Sequence, residues 1–278
     1  MILHCLHISK NCSASDTIII RSPDTDVFIL LMKYAEDIKK VLVMDTGVGD
    51  KRRLINVSSA AKAIGPELSN ALPSLHAYTG CDSTSSFVRK GKVVPLRLLQ
   101  QHPQYIPAFT SFGTSSTMRK QHIEDIEAFT CKMYEGKSGI RDIDKLRYVT
   151  FLTRYSPGKK LLTNDRGIDL SLLPPCRSSL MMHIARVNYQ CLIWKQAHIQ
   201  NPELPKPHDG HGWCLHGNDL EYKWTTKDIL PQDLADLVLE DHDGEDDSEL
   251  DMVEYNISED VIVEEDEEEA EDEEGEED

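Results

Sequence analysis

Two rhythms of apolar residues run along this chain, and they change near residue 58. Residues 1–9 read as the middle of an amphipathic helix, with no capping residue ahead of it. After a polar turn at 11–16, residues 17–21 (TIIIR) form a short β-branched run, the signature of a buried strand. Apolar residues at 27, 30, 31, 34 and 38 then recur at helical spacing. Residues 41–44 (VLVM) predict a second strand, 45–53 a Gly-containing turn and 54–57 a third strand. Strands this apolar, joined through a helix, predict a parallel α/β sheet.

Beyond residue 58 the pattern shifts to short helices with tight turns. Pro66 falls where a first helical turn begins, and Pro73 is expected to start or kink the next segment. Helices are predicted over 92–101, 116–134 and 141–155, followed by a loop rich in Pro, Gly and Lys. Pro174-Pro175 opens the strongest helix, running to about 199. Its Met181, Ile184, Tyr189 and Trp194 read as core positions rather than a binding stripe. Residues 201–219 are rich in Pro, Gly and His and are expected to be irregular.

Composition changes the picture at the C-terminus. The net charge of −18 is concentrated there: residues 240–278 hold 24 of the 48 acids and no Lys or Arg. The remainder has 24 acids against 30 Lys plus Arg, a balance of +6 that is compatible with a phosphate-bearing partner. The tail lacks the apolar content to offset ordering entropy and is expected to be disordered. Its bland role is solubility; its sharper role is contact with basic proteins, and Ser248 and Ser258 would suit an acidophilic kinase.

Seven cysteines at 5, 12, 81, 131, 176, 191 and 214 show no paired spacing. With no secretory signal, they read as reduced thiols in the cytosol or nucleus. The sequons at Asn11, Asn56 and Asn256 then carry no meaning. No apolar run reaches the roughly 18–20 residues of a membrane span.

The candidate chemistry centres on Asp24 and Asp26. An unpaired buried carboxylate costs several kcal/mol, so a pair at the break of the most apolar segment needs a reason. Two readings are open. Asp24 could cap the following helix with Asp26 in its first turn, or both could face one ion past the carboxyl end of a strand, where open α/β folds put their sites. A second segment, HAYTGCDSTSSFVRKGK, puts Asp82 after a Gly in a polar turn. Gly91 between Lys90 and Lys92 ahead of a helix suits a phosphate cradle. His208, His211, Cys214 and His216 lie within nine residues, but their spacing matches no standard zinc finger and reads as a turn. His4 and His7 rate no better. Cys81 has no His–Asp arrangement to make it a nucleophile.

SPDTDVFILL, followed about fifty residues later by LPSLHAYTGCDSTSSFVRKGK, resembles the PIN-like nuclease fold of flap endonucleases and their relatives. It is most similar to an animal subfamily spread with mobile elements. Residues 173–207, with LPP, a helix and then P-x-L-P, also resemble that subfamily. The resemblance implies that Asp24, Asp26 and Asp82 hold two Mg²⁺ ions, or Mn²⁺, for phosphodiester cleavage. It implies that Lys90, Gly91 and Lys92 belong to a hairpin gripping one DNA strand. Here the hairpin reads Val88-Arg89-Lys90-Gly91, so the family's first glycine is missing. The family also places an acidic E-x-D pair before a helix resembling MILHCLHIS, and this chain starts at Met1, after it.

The expected architecture is therefore α/β. It comprises the C-terminal portion of a PIN-like domain with an incomplete parallel sheet (1–110), a helical region (111–200), an irregular segment (201–239) and a disordered acidic tail (240–278). The expected function is a truncated, impaired, Mg²⁺-dependent, structure-specific DNA nuclease-like protein. The rival expectation is a non-catalytic protein that uses the scaffold and tail to bind basic partners.

Overall fold

The computed structural model describes residues 1–11, 13, 15–134, 139–154 and 169–226. These lie in one unit, Met1–Ile229. The acidic tail with Ser248, Ser258 and Asn256, the segment 227–239, the loop at 155–168, residues 135–138, Cys12 and Ala14 lie outside the described residues.

Helix α1 (Ile2–Asn11) precedes β1 (Thr17–Arg21), α2 (Thr25–Ile38) and β2 (Val41–Thr46). The two strands pair in parallel, Thr17 opposite Val41 through Arg21 opposite Asp45. Side-chain alternation divides them between two environments. Ile18, Leu42 and Met44 are buried under the helices, whereas Ile19 and Val41 are exposed on the other face. In α2 the helical spacing buries Leu30, Leu31, Tyr34, Ala35 and Ile38 against the same core.

The third strand, β3 (Arg53–Asn56), runs antiparallel to β2, so the sheet is mixed with order β1-β2-β3. This corrects the expectation of a parallel sheet throughout. Only six residues separate β2 from β3. A parallel return needs a crossover of a dozen or more residues, so so short a link can only reverse direction. A 3₁₀ turn at Gly49–Lys51 makes the reversal. Arg52 then clamps it, with Nε and Nη2 each donating to Asp45 at 2.8 Å.

The helices that follow are α3 (Val57–Ile64), α4 (Pro66–Tyr78), α5 (Val93–Gln101), α6 (Ile106–Ser111), α7 (Lys120–Tyr134), α8 (Ile143–Arg154) and α9 (Arg177–Lys195). Helix α4 is the hub, packing against α2, α3, α5, α6 and α9. Ten of its thirteen residues are buried, so no single face is reserved for solvent. Pro73 sits inside it and neither starts nor ends an element. The ring removes one backbone N–H, and burial of the side chain on all sides compensates. At the end of α4, Tyr78 meets the rings of Phe87, Phe109, Phe112 and His183, and its hydroxyl bonds Thr130 on α7.

Helix α9 runs beside α4. Its Ile184 and Trp194 are core, as expected, and Met181 packs against the core; Tyr189 instead faces a hairpin. That hairpin, β4 (Trp213–His216) with β5 (Asp219–Tyr222), corrects the expectation of irregular structure there. Its two-residue loop, Gly217-Asn218, opens with positive φ at Gly217, the conformation tight hairpins require. The six described cysteines are all free thiols. Among the described residues no helix is long and apolar enough to cross a membrane.

Candidate functional site

The D-x-D turn lies just past the carboxyl end of β1, next to the carboxyl end of β2. Ser22 N–H donates to the Asp45 carbonyl (3.1 Å), tying the two strand ends together. Asp24 is the N-cap of α2: its backbone is extended and its Oδ1 accepts the Asp26 N–H at 2.8 Å. The capping reading therefore holds for Asp24. Asp26, in the first turn, aims its side chain at α4 instead. His76 Nε2 lies 2.7 Å from Asp26 Oδ1. Burial, then the Lys92 charge, depresses the His76 pKa below its usual value, while Asp26 and Asp24 pull it back only in part. The imidazole is thus neutral at pH 7, and its Nε2–H donates to the Asp26 carboxylate.

Lys92 completes this cluster from the start of α5. Its Nζ donates to the His76 carbonyl (2.9 Å), to Thr79 Oγ1 (3.3 Å) and to the Gly80 carbonyl. These acceptors lie at and just past the end of α4, where a cation also complements the helix dipole. All three ammonium donors are turned inward. Burial lowers the Lys92 pKa, and the Cys81 and Asp26 groups oppose that shift.

Asp82 occupies the exposed turn closed by the Cys81–Thr84 bridge. Thr84 Oγ1 anchors that turn to the Ala77 carbonyl (2.6 Å), and Ser83 Oγ donates to Gln190 on α9 (2.7 Å). Lys90 lies over the Tyr134 ring, with 5.1 Å from Nζ to the centroid. In the segment Val88-Arg89-Lys90-Gly91 the left-handed residue is Arg89 (φ 54°), not Gly91. The structure therefore brings Asp24 and Asp26 to one turn, links Asp26 to Lys92 through His76, and leaves Asp82 on the neighbouring turn. Asp24 and Asp26 each keep one carboxylate oxygen with no partner among the described residues. Also among the described residues, no group of three or more His, Cys, Asp or Glu is gathered to hold a metal ion.

Sequence reasoning passed over His76, Thr79 and Asp45. His76 opens the quoted HAYTGCD motif, and its position on a helix buried all round was the available signal. Asp45 lies near the carboxyl end of β2, opposite Arg21 at the end of β1. The Arg52 hydrogen bonds, with the Arg52 and Arg21 charges, hold its pKa below the usual carboxylate range. In the HDGHGWCLH stretch, His211 is buried against the Tyr189 ring, at 5.0 Å between centroids, and Cys214 and His216 lie on β4. No protein-family model, curated protein or solved structure matches the chain.

Proposed function

We propose that this chain is a PIN-like, nuclease-derived protein with impaired catalysis, whose D-x-D turn takes one hydrated Mg²⁺ or Mn²⁺ and through it a DNA phosphodiester. The observation that supports this reading is the position of Asp24 and Asp26 at the carboxyl edge of a parallel strand pair, each with a carboxylate oxygen to spare. Mg²⁺ retains several waters and binds through one or two carboxylates, so the pair suffices for weak binding without Asp82, which lies on the neighbouring turn. Bound there, the ion would polarise a phosphoryl oxygen. His76 orients Asp26 and, being neutral, leaves its charge in place. The inward-turned Lys92 ammonium sits within electrostatic reach of Asp26 and of Cys81, beside Asp82. That charge opposes a second cation between the two turns, and two-metal cleavage needs both ions. Lys90 and Gly91 form the turn that would lie along a DNA strand, with Lys92 turned inward and holding that turn to α4 rather than reaching the strand, and the role belongs to the nucleus or cytoplasm.

A second reading, a non-catalytic partner of basic proteins, draws on one observation: 24 acids without a Lys or Arg after residue 239. One experiment separates the two. Melting of the full chain is followed with and without Mn²⁺ or Mg²⁺, alongside cleavage of a 5′-flap DNA. The expected outcome is a metal-dependent rise in Tm with little or no turnover. Asp24→Asn should leave the metal-free Tm in place, because Asn caps helices as well as Asp, yet remove the rise. A wild-type protein with no metal-dependent shift would defeat the metal-site reading and leave the binding protein.

A further inference from the structure

Arg186 is the residue whose chemistry the preceding site does not use. It projects from the middle of α9 and is 2 % exposed, yet no carboxylate pairs with it among the described residues. Its Nη1 donates to the Gly212 carbonyl (3.2 Å) and the Lys223 carbonyl (2.9 Å), which fastens the β4–β5 hairpin to the helix. The Tyr222 and Trp224 rings cover the guanidinium at 5.5 and 5.4 Å. Those contacts leave the other edge of the group unused. Nε is fully buried without a hydrogen-bond partner, the single such side-chain atom among the described residues. Nη2 likewise makes no hydrogen bond among them. A guanidinium stays charged at any physiological pH and carries five donors, so an edge with no acceptor is costly in this setting.

That residue lines a small cavity. Ser179, His183 and Arg186 come from one face of α9 at successive turns, and Ser85, Ser86 and Trp224 come from the two segments facing it. The cavity measures about 130 Å³. At roughly 30 Å³ per water this is room for about four waters, or one tetrahedral oxyanion with a water beside it. No acidic residue lines it. The Ser85 and Ser86 hydroxyls have no partner among the described residues. Ser179 Oγ accepts from Cys176 Sγ (3.3 Å) and so keeps its own O–H to donate.

We propose that this cavity is a binding site for a phosphate group, with the Nε–Nη2 edge of Arg186 as its bidentate anchor and the three serine hydroxyls as further donors. The protein uses the same edge elsewhere: Arg52 grips Asp45 through Nε and Nη2, both at 2.8 Å. Parallel N–H donors spaced in this way match two oxygens of a phosphate or carboxylate. The small volume and the donor set, a guanidinium edge with hydroxyls and no acid, favour the compact tetrahedral anion, either free or as the end of a small monoester. Trp224 over the guanidinium makes occupancy visible, because an anion on Arg186 weakens the cation–π contact and changes the indole's surroundings.

The test uses the full chain, titrated with inorganic phosphate and, separately, with phenyl phosphate, at ionic strength held constant with chloride. Tryptophan emission and Tm are read together. Inorganic phosphate should give a saturable change in emission and a rise in Tm. Saturation by phosphate alone identifies the free anion as occupant; saturation by both identifies a terminal monoester. Arg186→Lys keeps the charge but loses the fork, and should weaken the response by about tenfold or more. Should that variant fail to fold, Ser86→Asp decides, since it supplies an internal anion: Tm should rise without phosphate and the phosphate response should vanish. A wild-type protein that responds to neither phosphate, or a response that survives both variants unchanged, overturns the proposal.

Discussion

His183 shows how one buried side chain sets a property of the protein. It is held in the neutral form, with Nε2–H donating to the Tyr78 carbonyl at 2.8 Å. Burial drives its pKa from 6.5 to about 4, with the Tyr78 bond opposing and the Arg186 charge assisting. The unfolded chain therefore takes up the proton first, so stability is complete above pH 6.5 and falls as pH drops toward 4. The linkage amounts to a loss of about 2 kcal/mol between pH 7 and pH 5. Burial also lowers the His76 and His211 pKa values, so both add to the loss in the same direction. Urea denaturation at a series of pH values should show this slope, and His183→Gln, whose amide retains a donor for Tyr78, should flatten it. A slope identical in both proteins would show that His183 is not the titrating group. At this scale the sequence was partly readable. The cap at Asp24 is a local event, whereas the Asp26–His76 bond joins positions 50 apart and no spacing rule reaches it.

Among elements, the turn after α6 approaches α9 closely. Gly113 takes φ +70°, and a Cβ there would stand 2.4 Å from the Cys191 carbonyl carbon. Asn188 fills in around it, accepting the Gly113 N–H (2.8 Å) and donating to the Ser115 and Ser116 carbonyls. Gly113→Ala should destabilise by at least about 1–3 kcal/mol, because backbone on α9 cannot yield as a side chain would. Gly210→Ala is the control: its φ is also positive, at +87°, but nothing lies within 4 Å of the added carbon, so only the conformational part of the cost remains. Equal losses in the two variants, read by urea denaturation, would mean that contact with α9 is not the cause. Periodicity found α2, α5, α7 and α9 to within a few residues, because each buries one or more faces in register with the helical repeat. It did not find α6, which is six residues long, or the hairpin, whose strands carry too few apolar residues to alternate.

Across the whole molecule, α7, α8 and α9 meet at Glu127. The carboxylate is buried, accepts the Ile143 N–H at the head of α8 (3.1 Å) and lies 3.2 Å from Arg177 at the head of α9. Burial raises its pKa against the pull of both partners. Glu127→Ala would leave the Ile143 amide buried without an acceptor, at a cost of about 1–3 kcal/mol. Because these helices belong to the same unit as the sheet, far-UV ellipticity and tryptophan emission should shift together to lower denaturant. Separate transitions would show that the helical half unfolds on its own.

By itself the sequence determined what neighbours along the chain decide. It set the two β-branched strands, the break and cap between β1 and α2, the register of apolar residues on the long helices and the charge asymmetry of the tail. Only the tertiary structure decided that β3 runs back along β2, that α4 is enclosed on all sides, that His76 bonds Asp26 while Lys92 closes the end of α4, and that Arg186 is buried without an anion. Propensity and periodicity act over a few residues, within one turn or one pleat. Charges and hydrogen bonds between positions 50 to 160 apart are chosen by which helices pack together, and that choice is made by the summed burial of the whole core.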